Sequence, residues 1–151
     1  MTFGAFEAEQ SRKSSTAGPP TDGPSLGDLV REVAMVLGHA GIDAPRTEAR
    51  DLVAAVLDRP RFWPNLNPTH RASVHEHEAI GRAARRRAAG APFAYAVGRA
   101  AFRFLNLDVD ERVLIPRPET ERLVDLVLTS PQARAGKVAV DVGTGSGAIA
   151  L

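Results

Sequence analysis

The sequence lacks cysteine, has few aromatic residues and carries almost no net charge. The absence of Cys from its 151 residues excludes disulfides and thiolate metal sites. Aromatic residues make up only 5% of the chain, so its core must be built mainly from Leu, Val and Ala. The 19 basic residues nearly balance the 18 acidic ones, and this balance gives no global signal for nucleic-acid binding.

Long apolar runs and targeting signals are also missing. No apolar stretch approaches the roughly 20 residues that a membrane-spanning helix needs. The N-terminus does not have the basic and then apolar layout of a signal peptide. We therefore expect a cytoplasmic protein that does not associate with a membrane.

The first 24 residues are predicted to be a disordered tail. Residues 14–24, SSTAGPPTDGP, are almost all small, polar or helix-breaking. Such a segment cannot bury enough apolar surface to offset the entropy lost when it becomes ordered. We expect structure to begin at Ser25.

Residues 25–98 carry the patterns of four helices joined by short links, which predicts a small helical bundle. Ser25 and Ser73 each precede an apolar series at helical spacing, with an acidic residue three positions later, as in a capping box. The other two helices are expected to begin near Pro45 and at Pro92, because proline suits the first turn. Two large rings in the link at 62–68 are expected to lie beneath the helices.

The pattern changes to alternation near residue 100, and residues 99–136 are interpreted as a hairpin and a linking helix. In AFRFLNLDVD, Phe102 and Phe104 precede Asn106 in the sequence, and Leu107 and Val109 follow it. This alternation predicts two short strands that turn at Asn106.

A helix is predicted to follow, with Pro118 in its first turn. Glu119 and Glu121 would lie in that turn, where acidic side chains complement the helix dipole. The apolar side chains of this helix are expected to face inward; they are Leu123, Val124 and Val127.

Residues 137–151 are interpreted as the first strand and glycine loop of an α/β domain. KVAVDV (137–142) is nearly continuously apolar, which is typical of a strand buried on both faces of a parallel sheet. A glycine-rich turn follows, and AIAL begins a helix. This order predicts the start of a doubly wound, Rossmann-like fold.

The glycine loop fits two kinds of ligand. A phosphate-binding P-loop is excluded because no Lys follows residue 137. Gly143-x-Gly145-x-x-Ala148 satisfies a dinucleotide fingerprint, whereas D-x-G-x-G-x-G at 141–147 satisfies the nucleoside loop of S-adenosyl-L-methionine-dependent methyltransferases. A carboxylate at the strand end suits a sulfonium ligand better than a pyrophosphate. We therefore favour the methyl donor, with these candidate cofactor-binding residues: Asp141, Gly143, Thr144, Gly145, Ser146 and Gly147.

The residues before this loop make the interpretation more specific. The segment PFAYAVGRAAFRFLNLDVDERVLIPRPETERLVD (92–125), with IPRPET at 115–120 and DVGTGSGAIAL at 141–151, resembles the HemK/PrmC family of protein-(glutamine-N5) methyltransferases. PRTEARDLVAAVLDRPR (45–61) is similar to the N-terminal helical domain of that family. The resemblance covers residues 26–151.

The resemblance implies S-adenosyl-L-methionine-dependent methylation of a glutamine side chain in peptide chain release factors. It assigns residues 25–98 to substrate recognition, and it implies a monomer whose partner is a release factor. Direct nucleic-acid binding is not expected because no aromatic residue interleaves with the arginines at 82–87, and a metal is not expected because His75 and His77, two residues apart on a helix, do not face each other. A possible cofactor or substrate pocket is implied at these residues: Phe102, Arg117, Pro118, Glu119 and Thr120.

The sequence departs from the family pattern in two respects. Ala101 stands where the family commonly has Glu, and the Asn-Pro-Pro-Tyr motif that handles the acceptor nitrogen is absent. We therefore expect no catalytic residue within this chain, which is interpreted as a truncated form that is inactive alone.

Several alternatives stay open. A ribosomal-protein glutamine or the N6 amine of adenine in DNA presents a comparable acceptor nitrogen. Other classes are a fragment of an NAD(P)-dependent oxidoreductase and a non-enzymatic helical binding module. The basic stretch at 82–87 is either a surface for an acidic partner or a solvated helix face.

Overall fold

The computed structural model describes residues 23–131, 138 and 140–151. Five helices precede a two-stranded antiparallel hairpin, and a sixth helix follows it. The elements are α1 (Leu26–His39), α2 (Pro45–Val56), α3 (Trp63–Leu66), α4 (Val74–Ala88), α5 (Phe93–Val97), β1 (Arg99–Phe102), β2 (Leu105–Asp108) and α6 (Pro118–Thr129). Most of the predicted tail, residues 1–22, lies outside the described residues.

Side-chain caps begin α1 and α4, as the sequence pattern predicts. Ser25 Oγ accepts a hydrogen bond of 3.2 Å from the Asp28 backbone N–H. The start of α4 is a complete capping box, because Ser73 Oγ accepts from the Glu76 N–H at 3.2 Å and Glu76 Oε2 accepts from the Ser73 N–H at 2.7 Å. The hydrogen bond from the Ser73 backbone lowers the pKa of the Glu76 carboxyl.

The core lies between α1, α2 and α4. The apolar stripe of each helix faces the other two, so that the helical bundle predicted from periodicity is confirmed for this region. Its buried members are Leu26, Leu29, Val33, Leu37, Ala49, Leu52, Val53, Ala72, Ile80, Ala83 and Ala84.

The chain just before α1 runs beside the chain just before α4. Leu26 donates its backbone N–H to His70 O at 2.9 Å, and Ala72 donates to Pro24 O at 3.1 Å. Gly23 lies against this second segment so closely that a Cβ added to it would be 1.9 Å from Ala72 O. The starts of the two capped helices are therefore held together by backbone contacts.

The link between α2 and α4 differs from the prediction. It contains the short helix α3, which periodicity does not reveal in four residues. Trp63 packs against the core as expected, but Phe62 is 57% exposed and does not lie beneath the helices. The guanidinium groups of Arg50 and Arg61 lie 5.2 and 5.9 Å from the centre of the Phe62 ring.

The hairpin forms as predicted, but its turn lies elsewhere. Phe102 pairs with Leu105, so the two turn residues are Arg103 and Phe104 rather than residues around Asn106. Arg103 has a φ of 52°, and Phe104 is 95% exposed at the tip. The alternation predicted strands correctly and misplaced the turn, because a positive φ at Arg is not expected from local sequence.

Helix α6 begins at Pro118, as predicted, but none of its side chains is buried. The expectation that its apolar side faces inward is therefore wrong for the described residues: Leu123 is 50% exposed and Val127 is 48% exposed. The physical reason is that no described element covers that side of the helix. No helix among the described residues combines the length and apolar character required to cross a membrane.

The strand predicted at 137–142 is not formed at its described positions, since Val138, Val140 and Asp141 belong to no strand. Its other members, Lys137 and Ala139, lie outside the described residues. Residues 142–151 form turns and no helix. A parallel strand requires hydrogen-bonded neighbours, and the only sheet within the described part of the chain is the hairpin. The Rossmann-like fold stays a prediction.

Candidate functional site

The glycine loop uses glycine for its backbone conformation. Gly143, Gly145 and Gly147 have φ values of 77°, 55° and 79°, all in the left-handed region that other residues rarely adopt. A Cβ at Gly143 or Gly147 would have no atom within 4 Å, so space is not the constraint. The alternating glycines therefore set a repeated change of backbone direction along the loop.

Two backbone hydrogen bonds shape the end of the loop. Gly147 donates its N–H to Thr144 O at 2.8 Å, and Ala150 donates to Gly147 O at 3.0 Å. The side chains of Thr144 and Ser146 are exposed. Both hydroxyl groups are thus accessible to a ligand at the loop.

Asp141 supplies the most unusual feature of this segment. Its Oδ2 atom is buried and has no hydrogen-bond partner among the described residues. A buried carboxylate oxygen without a donor is unfavourable, because it loses hydration without gaining a hydrogen bond. The oxygen is suited to accept a hydrogen bond from a ligand, or to lie near a positive charge.

The second group of predicted site residues surrounds the start of α6. Arg117 is the N-cap residue, Pro118 is the first helical residue, and Thr120 donates its N–H to Arg117 O at 3.0 Å. The side chains of Arg117, Pro118 and Glu119 are exposed, and Thr120 is half-buried. Phe102 is 2% exposed, so its ring is part of a packed interior.

Arg103 and Glu121 connect the hairpin to α6. Glu121 Oε1 accepts a 3.0 Å hydrogen bond from the Arg103 backbone N–H, and the Arg103 guanidinium forms a 2.8 Å ion pair with Asp125. These contacts bring Phe102, which precedes Arg103, toward the helix that begins at Pro118. Local sequence carries no signal for a contact between residues 18 positions apart. From the sequence, Glu121 is therefore assigned only to the helix dipole, and its bond to Arg103 is not predicted.

The structure does not join the two groups. Among the described residues, no hydrogen bond or ion pair links the loop at 141–147 to the hairpin or to α6. The loop and the segment at 117–120 are therefore separate candidate elements, and their combination into one pocket stays a prediction.

The basic stretch on α4 is largely neutralised by ion pairs. Arg86 and Arg87 pair at 2.5 Å with Glu111 and Glu48, and Arg82 lies 3.7 Å from Glu78. Such pairs are typical of a solvated helix face that also fastens neighbouring segments. No group of three metal-ligating side chains occurs in the described ranges.

Comparison with known proteins identifies the helical part of the chain. Residues 28–98 match the family model described as the PrmC N-terminal domain. The chain is 39% identical over 127 residues to the release factor glutamine methyltransferase of Aliivibrio fischeri, an alignment of 84% of this chain and 44% of that protein.

Two further relatives carry the same name. The Bordetella pertussis protein is 43% identical over 107 residues, which cover 71% of this chain and 40% of the relative. The Chlorobaculum tepidum protein is 36% identical over 132 residues, covering 84% and 45%. The chain spans less than half the length of the curated relatives it matches. The resemblance in the sequence is confirmed: residues 28–98 match the PrmC N-terminal domain, and the chain is similar to release factor glutamine methyltransferases over most of its length.

Proposed function

We propose that the protein is an S-adenosyl-L-methionine-dependent methyltransferase that modifies N5 of a glutamine side chain in peptide chain release factors. Relatives of 36% to 43% identity bear the name of that activity. The structural observation that carries the proposal is the buried, unpartnered Asp141 Oδ2 directly before three glycines of positive φ.

The loop residues fit this cofactor. S-adenosyl-L-methionine, when bound, supplies a methyl group activated by a sulfonium centre. Asp141 offers an acceptor to a ligand that carries positive charge, and a negative group would be repelled from it. The glycines leave the backbone open to close approach, and Thr144 and Ser146 add two exposed hydroxyl groups.

Each part of the chain then has a role. In this proposal, residues 25–98 recognise the protein substrate, residues 99–136 connect the two parts, and residues 137–151 begin the methyltransferase domain. The Arg103 contacts with Glu121 and Asp125 hold the hairpin against α6, near the proposed pocket residues Phe102 and Arg117. A cytoplasmic monomer without direct nucleic-acid binding belongs to the same proposal.

The alternatives receive less support. A dinucleotide would bring a pyrophosphate next to the Asp141 carboxylate, which disfavours the oxidoreductase. A helical binding module explains residues 25–98 but leaves the loop conformation without a purpose. A ribosomal-protein glutamine and a DNA adenine stay possible acceptors, which the following experiment distinguishes.

Deletion of the gene in its source organism tests the proposal. Mass spectrometry of release factors should show a glutamine-bearing peptide that loses the mass of one methyl substitution in the deletion strain and regains it on complementation. The same samples would be analysed for ribosomal-protein glutamine methylation and for N6-methyladenine in DNA. Unchanged release factors, or loss of either other modification instead, would contradict the release factor assignment.

A variant of the complemented gene tests the cofactor site. Asp141→Asn keeps the shape of the side chain and removes its charge, so the affinity for S-adenosyl-L-methionine should fall about tenfold, as for a lost charge-assisted hydrogen bond. Calorimetry on the purified gene product would measure it, with Asp43→Asn, the same change at an exposed aspartate before α2, as the control. Equal affinity of Asp141→Asn and the unaltered protein would argue against a role for this carboxylate.

A further inference from the structure

A groove lies between α1 and α2. It encloses about 840 Å³, and its apolar lining comes from Val30, Ala34 and Met35 on α1. Met35 is 61% exposed. A flexible thioether side chain in an open position adapts to an apolar group of a partner, which makes it a suitable anchor contact.

The charges lining this groove are all positive. Arg31, Arg46 and Arg50 line it, and no acidic side chain does so. Arg31 is paired with Asp28, and Arg50 lies 3.0 Å from Asp51. Arg46 is exposed, and its side chain makes no ion pair or hydrogen bond within the described part of the chain. The groove therefore offers one uncommitted guanidinium beside an apolar lining.

An exposed aromatic ring lies next to the groove. The guanidinium of Arg50 is 5.2 Å from the centre of the Phe62 ring, and that of Arg61 is 5.9 Å from it. Arg61 also pairs with Asp51 at 2.7 Å. These interactions hold Phe62 at the surface and place two cations over the ring, so it is not a free platform for a nucleobase.

We propose that the groove binds an acidic, amphipathic peptide segment of the protein substrate, with an apolar side chain against Met35 and a carboxylate at Arg46. This proposal rests on the proposed function, because it names the surface by which residues 25–98 hold their substrate. Charge complementarity selects an acidic partner, and the apolar lining selects a peptide rather than a phosphate backbone.

The basic face of α4 is the competing surface for an acidic partner. Three of its arginines already have carboxylate partners: Arg82 with Glu78, Arg86 with Glu111 and Arg87 with Glu48. A partner would have to displace those pairs. Arg85 is exposed and outside them, but the concavity it lines, of about 50 Å³, also contains Glu32, whereas the groove at Arg46 has no acidic lining. The comparison of Arg46 with Arg82 therefore separates the two surfaces.

Binding of the full chain to a purified bacterial release factor, measured by calorimetry, provides the first test. Arg46→Glu should weaken binding about tenfold, and Met35→Ala about threefold. Neither change endangers the fold: Glu suits the first turn of α2, and Ala suits an exposed position of α1. Arg82→Glu is the matched control with the same change of charge, and it should leave affinity within about twofold.

Equal loss in Arg46→Glu and Arg82→Glu would indicate general charge attraction and would overturn the proposal, as would unchanged binding in both groove variants. Either result leaves the methyltransferase activity standing, because mass spectrometry of the deletion strain tests that separately.

A second test uses defined probes and maps the location. An amphipathic helical peptide with Glu beside its Leu face should shift the amide resonances of α1 and α2 around Met35 and Arg46 in the full chain. The same peptide with Lys for Glu, and a short single-stranded RNA, should not shift them. Absence of shifts from the acidic peptide, or RNA shifts in this groove, would overturn the proposal.

Discussion

The bundle of α1, α2 and α4 and the helix α6 have similar apolar content and opposite environments. Leu29, Leu52 and Ile80 are at most 1% exposed in the bundle, whereas Leu126 and Leu128 of α6 are 68% and 61% exposed. The difference shows that an amphipathic pattern specifies which side of a helix is apolar, but burial requires another element against that side. The bundle is complete in itself, and α6 is held mainly by polar contacts.

Two helices of the bundle also begin with stronger caps than α6 does. α1 and α4 begin with serine caps, whereas Arg117 at the start of α6 makes no side-chain cap hydrogen bond. α6 relies on Pro118 and on acidic residues in its first turn. Stability should therefore be concentrated in the bundle, and four experiments would test this contrast.

The largest effect is expected from matched leucine truncations. Leu52→Ala should reduce the free energy of unfolding by about 2 to 5 kcal/mol, because it leaves a cavity at a fully buried site of α2. Leu126→Ala removes the same atoms from an exposed position in the middle of α6. It should change the free energy of unfolding by less than about 0.5 kcal/mol. Urea denaturation followed by circular dichroism would measure both. Similar losses would show that α6 is covered as α2 is.

An intermediate effect is expected at the α4 capping box. Ser73→Ala should cost about 1 kcal/mol, because the Glu76 N–H loses its acceptor. Chemical denaturation at neutral pH would measure the loss. Ser130→Ala is the control, because Ser130 follows the C-terminal end of α6 and caps no helix start. A loss below about 0.3 kcal/mol would mean that water replaces this cap without cost.

The charge of Glu76 makes part of that contribution depend on pH. The folded chain lowers the pKa of this carboxyl from its ordinary 4.5, so the unfolded chain binds the proton more tightly. The unaltered protein should be more stable than Glu76→Gln by the full amount at pH values above 4.5. This advantage should disappear as the pH falls through the lowered pKa of Glu76 in the folded chain. Denaturation curves of both proteins from pH 7 downward would show it, and an advantage that grows on acidification would contradict the sign.

The smallest effect is expected where α6 meets the hairpin. Glu121→Gln weakens the acceptor of the Arg103 N–H, so exchange of that amide should accelerate about fivefold, with little change in global stability. Hydrogen exchange followed by NMR would measure it. Glu119→Gln, on an exposed residue of the same turn, should not change the rate, and equal acceleration in both variants would point to fraying of α6 instead.

Local chemistry predicted the features that are locally determined. The serine caps at Ser25 and Ser73, the prolines that begin α2 and α6, and the hairpin pattern depend on neighbours within a few residues. Gly98, with a φ of 78°, ends α5 in the left-handed conformation for which glycine is best suited.

Features that depend on distant partners were not predictable. The turn at Arg103 has a positive φ, and its backbone N–H is held by Glu121, far along the chain. The predicted burial of the apolar side of α6 was wrong for a related reason. The sequence of a helix indicates which side is apolar, but it does not indicate whether another element covers that side. At the candidate site, spacing indicated Asp141 and the glycines, but only coordinates show an unpartnered oxygen.

The close approach of Gly23 to Ala72 has a consequence for mutational tolerance. Position 23 lies in no helix or strand, but its glycine is buried. Here even a methyl group would press on Ala72 O and separate the segments before α1 and α4. A single substitution in a loop would thereby loosen the starts of two helices at once, so this site should vary as little among functional sequences as the buried leucines do.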